Sequence, residues 1–268
     1  MVKANEVGVV IALLGIALGF GAGVLLGRVA AQLVEEGIAR VVTEPDASAA
    51  SRSVADVTLA QVDDVTRYKV PVTRSQPSRG PSDALVTIIE WCDLYGEACR
   101  QTDALLSTAL TRHPRELRRV FRHLAASKPD DEQAHEVARV AFQQGRFWEL
   151  RKRLSQLDDA PSLPALQAHA RAAGLDWDAA GLALERLEHA SYIAAERSLA
   201  RALDVRHAPV LFINGRRVEG ELSSAQLEAL IDEELQQTRV LVASGAPRGD
   251  VYAEIIKPGV WQTRDDAL

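Results

Sequence analysis

Cysteine and positive charge are both scarce in this chain of 268 residues. Only two cysteines occur, Cys92 and Cys99, and Gly96 occupies the position at which a Cys-x-x-Cys pair ending at Cys99 would have its first cysteine. Acidic residues outnumber basic residues by 37 to 31, which gives a net charge of −6. Non-specific binding of nucleic acid requires a basic face, so no nucleic-acid partner is predicted.

The sequence also lacks the patterns of metal, phosphate and nucleophile sites. It contains no glycine-rich phosphate loop and no nucleophile elbow. Its histidines show neither metal-ligand spacing nor a carboxylate at a ligand interval; they stand at positions 113, 123, 135, 169, 189 and 207. We therefore predict no metal site and no cofactor. The one basic run, residues 115–122, alternates like a strand with one charged face and is interpreted as a solvated edge.

The amino-terminal segment is the longest hydrophobic run. Residues 7–27 are uncharged and almost wholly apolar, which is long enough for a helix to cross ~30 Å of hydrocarbon. Residues 1–30 are therefore predicted to be a retained membrane anchor. A cleaved signal peptide is the alternative, but its apolar region is usually only ~7–15 residues long. Lys3 precedes the span, so the bulk of this single-pass protein is expected on the extracytoplasmic, periplasmic side of the cell membrane.

Glycine recurs at every fourth position of this run, at Gly15, Gly19, Gly23 and Gly27. Such a stripe of small residues lets two membrane helices approach closely, which predicts a homodimer formed through the anchor. The alternative is that these glycines have no such role, since glycine is common in membrane helices.

The rest of the chain divides by composition into a tether (31–63), a folded domain (64–239) and a carboxyl-terminal extension (240–268). Hydrophobic periodicity and turn residues predict the elements of the domain. A β-α-β unit comprises a strand (85–91), a helix (97–113) and a strand (117–124). Before it we expect an edge strand at 68–72 and a loop at 74–82. A helical insert at about 129–204 comes next, with helices at 132–144, 147–157, 163–173 and 178–202. A hairpin (210–214 and 216–219), a helix ending at 237 and a short helix at 251–256 follow.

This order of elements resembles the DsbA-like branch of the thioredoxin fold, whose members are thiol–disulfide oxidoreductases. Three segments carry the resemblance: VTIIEWCDLYGEAC at 86–99, QGRFWE at 144–149 and APVLFINGRRVEG at 208–220. The resemblance implies an α/β thioredoxin-like fold with a helical insertion, here preceded by a single transmembrane helix. It also implies protein or peptide clients with thiols or disulfides.

The family's active-site pattern is changed in this chain. Cys99 matches the second, more buried cysteine of the family, whereas Gly96 stands where the attacking cysteine is expected. Glu97 replaces the usual proline, and its charge disfavours a neighbouring thiolate. Cys92 is an additional cysteine at the end of the preceding strand. A Cys92–Cys99 disulfide and two independently buried cysteines are both compatible with the sequence.

Three further site residues follow from the same resemblance. Pro209 matches the proline that is cis in this fold, and Ala208 precedes it at the place where the family holds an extended substrate segment. Glu90 matches the acid that the family buries beneath its cysteines. A buried, unpaired carboxylate can relay a proton to a thiol, but Glu90 is equally compatible with a strand end whose carboxylate reaches water.

Two functions remain open at this level. The chain is either a membrane-anchored thiol–disulfide oxidoreductase that works through Cys92 and Cys99 or through Cys99 alone, or a redox-inactive binding or chaperone module that uses the groove beside Pro209. The first follows from the family, and the second follows from the missing first cysteine.

Overall fold

The computed structural model describes residues 66–125, 128–220 and 222–261. The predicted anchor (1–30), the glycine stripe within it and the tether (31–63) lie outside the described residues. Among the helices that are described, none combines the length and the apolar character needed to cross a membrane.

A parallel β-α-β unit forms the centre of the sheet, as predicted. Strand β2 (Val86–Cys92) pairs in parallel with β3 (Leu117–His123), and helix α1 (Glu97–Arg112) connects them. Every residue of β2 is buried, as expected for a continuous apolar strand with neighbours on both faces. The register aligns Cys92 with His123, so the first cysteine lies at the carboxyl end of the parallel pair.

The predicted hairpin extends the sheet on the other side of β2. Strands β4 (Val210–Ile213) and β5 (Arg216–Glu219) are antiparallel, and the turn residues Asn214 and Gly215 have φ angles of 46° and 84°. Two consecutive positive φ angles are typical of the Asn-Gly hairpin turn. Because β4 pairs antiparallel with β2 and its Val210 aligns with Trp91, the residue before it lies next to the cysteine end of β2.

Strand β1 (Ser78–Arg79) completes the sheet, whose order is β1-β3-β2-β4-β5. It pairs antiparallel with β3 inside the segment predicted to be a loop. The edge strand predicted at 68–72 is wrong, since only isolated bridges from Arg67 and Tyr68 occur there. Pro71 cannot donate a ladder hydrogen bond, which limits strand formation in that segment.

The insert is helical, as predicted, but it contains one more helix than the sequence indicated. Its helices are α2 (Pro129–Gln143), α3 (Phe147–Leu154), α4 (Leu163–Ala172), α5 (Trp177–Arg186) and α6 (Ala190–Ala202). The single helix predicted at 178–202 is interrupted after α5, where Leu187 adopts a left-handed conformation with φ of 49°. No glycine or proline marks this break in the sequence, and left-handed leucine is rare.

The carboxyl-terminal extension packs against the domain. Helix α7 (Ser224–Ala243) runs beyond the predicted end at 237, and a short helix α8 (Val251–Ile256) follows, as predicted. Within α8, Val251 and Ile255 are fully buried, and the Tyr252 hydroxyl donates a 2.6 Å hydrogen bond to the carbonyl of Val70. These contacts place α8 within the fold of the domain.

The interpretation of residues 115–122 as a solvated edge is wrong. Strand β3 lies between β1 and β2, and Arg119 and Arg122 are only 1% and 3% exposed. Arg122 donates a 2.7 Å hydrogen bond to Glu196, which is itself buried. Acidic partners inside the fold therefore neutralise Arg119 and Arg122, as buried charges require.

Helix α7 begins with a capping box. The Ser223 hydroxyl accepts a hydrogen bond from the backbone N–H of Gln226, and the Gln226 side chain accepts one from the backbone N–H of Ser223. We expect Ser223→Ala to lower the free energy of unfolding by about 1 kcal/mol because both bonds are weakened. Urea denaturation measures this difference. Ser224→Ala, at the next position, is the control, and an equal loss in both variants would contradict the role of the cap.

Candidate functional site

The two cysteines form a disulfide at the carboxyl end of β2. The Cα atoms of Cys92 and Cys99 are 5.9 Å apart, within the usual range for a bridge, and the sulfur atoms are bonded. The structure thus decides between the two possibilities that the sequence left open. Both residues are buried, with exposed fractions of 0% and 3%. They belong to an apolar cluster with Leu94, Phe121, Phe147, Leu150 and other residues.

Gly96 occupies the N-cap position of α1. Its φ of 87° lies in the region that favours glycine, and its N–H donates a 2.8 Å hydrogen bond to the carbonyl of Leu157. A Cβ atom placed there would have only the carbonyl oxygen of Asp158 within 4 Å, at 3.9 Å. The backbone conformation, rather than lack of space, therefore favours glycine at this position.

An arginine that the sequence analysis missed holds the turn between β2 and α1. Arg151 of α3 is 1% exposed and donates hydrogen bonds to the carbonyl oxygens of Leu94, at 3.1 Å, and Cys99, at 3.4 Å. Burial lowers the pKa of Arg151. The backbone N–H of Asp93 approaches the Sγ atom of Cys99 at 3.2 Å. The disulfide is therefore enclosed by a hydrogen-bonded turn. Arg151 follows the QGRFWE segment, but no sequence signal separates it from neighbouring surface arginines.

Glu90 is fully buried two residues before Cys92 in β2, and its carboxylate forms an ion pair with Arg119. Its two carboxylate oxygens accept hydrogen bonds of 2.7 and 2.9 Å from the guanidinium of Arg119, which also donates a 2.7 Å bond to Asp103. Neither alternative from the sequence, an unpaired buried acid or a carboxylate in water, describes this arrangement. The side chains of Glu90 and Cys92 lie on the same face of the sheet, and the Glu90 carboxylate is neutralised there by the Arg119 guanidinium.

The peptide bond between Ala208 and Pro209 is cis, which confirms the prediction. A cleft of about 470 Å³ lies beside it, and we call this cleft the Pro209 groove. Helix α1 contributes one wall, and the loop before β4 and the segment before α7 contribute the rest; the lining includes Gln101, Thr102, Leu105, His207, Ala208, Pro209 and Leu222. The lining is mainly apolar with a few polar groups, as in most ligand clefts.

Three titratable side chains meet at the turn that follows β2. One ligand atom each of Asp93, Asp131 and His135 lies within 4.8 Å of the other two. Burial raises the pKa of Asp93 to about 6, against the opposing effect of Arg151. Burial lowers the pKa of His135 to about 3, and nearby arginines add to this effect. The prediction that no histidine has a carboxylate at a ligand interval is wrong, because Asp131 precedes His135 by one helical turn on α2.

Comparison with known proteins agrees with this architecture. A thioredoxin family model matches residues 73–233. A Na⁺/H⁺ antiporter NhaA 3 from Salinispora tropica is 30% identical over 169 residues, which cover 62% of this chain and 26% of the relative. The chain therefore spans about a quarter of the length of that relative.

Solved structures show the same fold. Oxidised BdbD from Bacillus subtilis has a TM-score of 0.57 at 16% identity, with 65% of this chain and 100% of BdbD covered. The α-DsbA1 protein of Wolbachia pipientis has a TM-score of 0.56 at 17% identity, with 65% and 97% covered. Since the family model extends over more than half of the sequence, the chain belongs to the thioredoxin family, and its helical insert gives it the DsbA-like form of that fold.

Proposed function

We propose that this chain is a membrane-anchored, extracytoplasmic DsbA-like protein that holds an extended protein segment in the Pro209 groove without exchanging disulfides with it. The observation that carries the proposal is the burial of the disulfide, whose cysteines are 0% and 3% exposed. Both cysteines of the chain are used in this bridge. The Pro209 groove thus remains as a cleft that could hold a segment, whereas both cysteines are buried.

Thiol–disulfide exchange needs a thiolate to reach a sulfur atom and form a mixed disulfide. Gly96 offers no thiol at the start of α1, and the neighbouring Glu97 side chain pairs with Arg100 and Gln101 at that helix start. The sulfur atoms of Cys92 and Cys99 lie among apolar side chains. A client thiolate would have to enter this cluster before it could react.

The Pro209 groove fits an extended segment better than a compact ligand. Its walls come from α1 and from the loop that contains the cis bond. Thr102 and Gln101 offer polar groups along α1, while Leu105 and Pro209 offer apolar contacts. This mixture suits a polypeptide with alternating side chains and accessible backbone groups.

The proposed location rests on the sequence. Residues 7–27 have the length and composition of a membrane span, and a long polar region follows them. A disulfide is expected outside the reducing cytoplasm, which agrees with a domain on the extracytoplasmic side. The glycine stripe at Gly15, Gly19, Gly23 and Gly27 adds a proposed homodimer contact within the membrane.

One observation favours a second candidate, an oxidoreductase that uses Cys92 and Cys99. Cys99 lies in the first turn of α1, where the helix dipole stabilises a thiolate, and the N–H of Asp93 is directed at its Sγ atom. A client thiolate that attacked the sulfur of Cys92 would form a mixed disulfide with it. The Cys92–Cys99 bond would break, and Cys99 would leave as a stabilised thiolate.

Binding and exchange can be measured separately with a carboxymethylated, unfolded model protein whose thiols are blocked. We expect the full-length protein to bind it, and Thr102→Arg to weaken binding by about tenfold or more because the new side chain fills the groove. Thr111→Arg is the matched control. Both threonines donate to the carbonyl four residues earlier on α1, at 2.9 and 3.0 Å, but only Thr102 lines the groove.

The same preparation is then mixed with a reduced, unblocked model protein, and mixed disulfides are trapped by acid. We expect none above the level of a Cys92→Ala/Cys99→Ala variant. Rapid, cysteine-dependent exchange would support the second candidate. Equal binding by Thr102→Arg and Thr111→Arg, or no binding at all, would contradict the groove proposal.

A further inference from the structure

We infer that Asp93, Asp131 and His135 form a binding site for one divalent transition-metal cation beside the disulfide. The three side chains each bring one ligand atom to within 4.8 Å of the other two. Asp131 and His135 come from successive turns of α2, where His135 Nε2 lies 3.8 Å from Asp131 Oδ1. Asp93 comes from the turn that follows β2. Three ligands from two segments thus converge on one small volume.

The buried imidazole of His135 provides an independent indication of a ligand. His135 is 0% exposed, and its Nδ1 atom is 2.8 Å from Nδ1 of His123. Among the described residues, its Nε2 atom has no hydrogen-bond partner, although it faces Asp131. A buried polar atom without a partner is costly and calls for an explanation. A cation coordinated by Nε2 supplies that partner.

The contact with His123 is compatible with the form of His135 that binds metal. Only one proton can lie between the two Nδ1 atoms. When His135 donates it to His123, Nε2 of His135 is left with a lone pair that points toward Asp131. Histidine ligands in metal sites are commonly fixed by such a hydrogen bond from the second ring nitrogen. His123 is therefore assigned as the residue that orients the ligand.

The donor set defines the class of metal. One imidazole nitrogen and two carboxylate oxygens suit Zn²⁺ and similar first-row cations, and three protein ligands leave a coordination position open. The Tyr95 hydroxyl donates to Oδ1 of Asp131, which fixes that carboxylate. Asp93 is only partly buried and lies in a turn, so its side chain is the one best placed to adjust toward a cation. This site does not depend on the proposed use of the Pro209 groove.

Zn²⁺ is the probe for the experiment. The full-length, disulfide-bonded protein in detergent is dialysed against Zn²⁺, and bound metal is counted by mass spectrometry. We expect one Zn²⁺ per chain, and we expect Asp93→Asn and His135→Gln each to lower the affinity by more than about tenfold. Asp158→Asn and His113→Gln are the controls, because these residues pair with Arg100 and Glu228, respectively, and lie outside the cluster. Both controls should bind Zn²⁺ as the wild type does.

Thermal unfolding adds a second readout. A cation that binds only the folded state raises the Tm in proportion to the logarithm of its concentration, so Zn²⁺ should raise the Tm of the wild type and of Asp158→Asn but not that of Asp93→Asn. If His135→Gln does not fold, the Asp93→Asn variant still tests the site, because Asp93 is partly exposed. Absence of stoichiometric Zn²⁺, or equal affinity in wild type and Asp93→Asn, would overturn the proposal.

Discussion

Arg119→Met is expected to lower the free energy of unfolding by about 3–5 kcal/mol, because it removes the cation that neutralises Glu90. The side chains of these residues are 1% and 0% exposed, and two hydrogen bonds of 2.7 and 2.9 Å join them. Methionine approximates the length of the arginine stem, so the lost charge dominates over lost volume. Urea denaturation monitored by circular dichroism measures the change.

Arg239→Met serves as the matched control for this experiment. Arg239 pairs with Glu116 at 2.9 Å, but the two side chains are 60% and 32% exposed. An exposed pair contributes about 0–1 kcal/mol, so this variant should remain close to the wild type. Similar losses in Arg119→Met and Arg239→Met would show that the buried pair adds little.

The double variant Glu90→Met/Arg119→Met distinguishes the cost of an unpaired charge from the value of the pair itself. Removing both charges leaves no unpaired charge at position 90, which often restores stability, while Asp103 loses its Arg119 partner in the single and the double variant alike. We therefore expect the double variant to be more stable than Arg119→Met, with a coupling energy of about 1–3 kcal/mol. If Arg119→Met does not fold, the double variant still reports on the pair. A double variant less stable than the single variant would contradict this account.

This ion pair also shows why the sequence analysis misread the basic strand. Alternating arginine and apolar residues predict a strand correctly, but the pattern is the same whether the arginines face water or buried acids. Arg119 can be buried because Glu90 and Asp103 pair with it, and these residues lie 29 and 16 positions away in the sequence. Sequence periodicity carries information about local structure, whereas charge pairing across strands depends on the tertiary arrangement.

Local signals predicted most of the framework. The apolar run of β2 and the Asn-Gly turn identify the parallel unit and the hairpin, and the family resemblance adds the cis bond before Pro209. The break at Leu187 lacked such a signal, because neither glycine nor proline marks it. Strand β1 is only two residues long, so it has too little periodicity to be recognised.

The candidate site was predictable in part. Family resemblance located Cys99 and Pro209, Cys92 stood out as an additional cysteine nearby, and the structure brings all three together at the end of β2. The cluster around His135 escaped notice because its third member, Asp93, lies far away in the sequence. Arg151 likewise approaches the turn only through the packing of α3. Asp131 and His135 do leave an i,i+4 pattern on α2, but the approach of Asp93 and Arg151 follows from tertiary structure alone.

Cys92→Ala/Cys99→Ala is expected to lower the free energy of unfolding by roughly 2–3 kcal/mol, since the bridge closes a short loop in the unfolded chain. The native structure should persist, because Leu94, Phe121 and Leu150 continue to enclose the site. Binding of a thiol-blocked client in the Pro209 groove should stay unchanged. Urea denaturation and the client-binding assay measure the two effects.

The wild type provides its own control for this variant, because its disulfide can be reduced after unfolding. Refolded under dithiothreitol, the reduced wild type should have about the stability of the double alanine variant. In the folded state the bridge should be reduced slowly, and the rate should rise with urea as the buried sulfur atoms become exposed. Rapid reduction without denaturant would contradict a structural bridge. It would instead indicate that the turn around Cys99 opens in the native protein, as an oxidoreductase working through Cys92 and Cys99 requires.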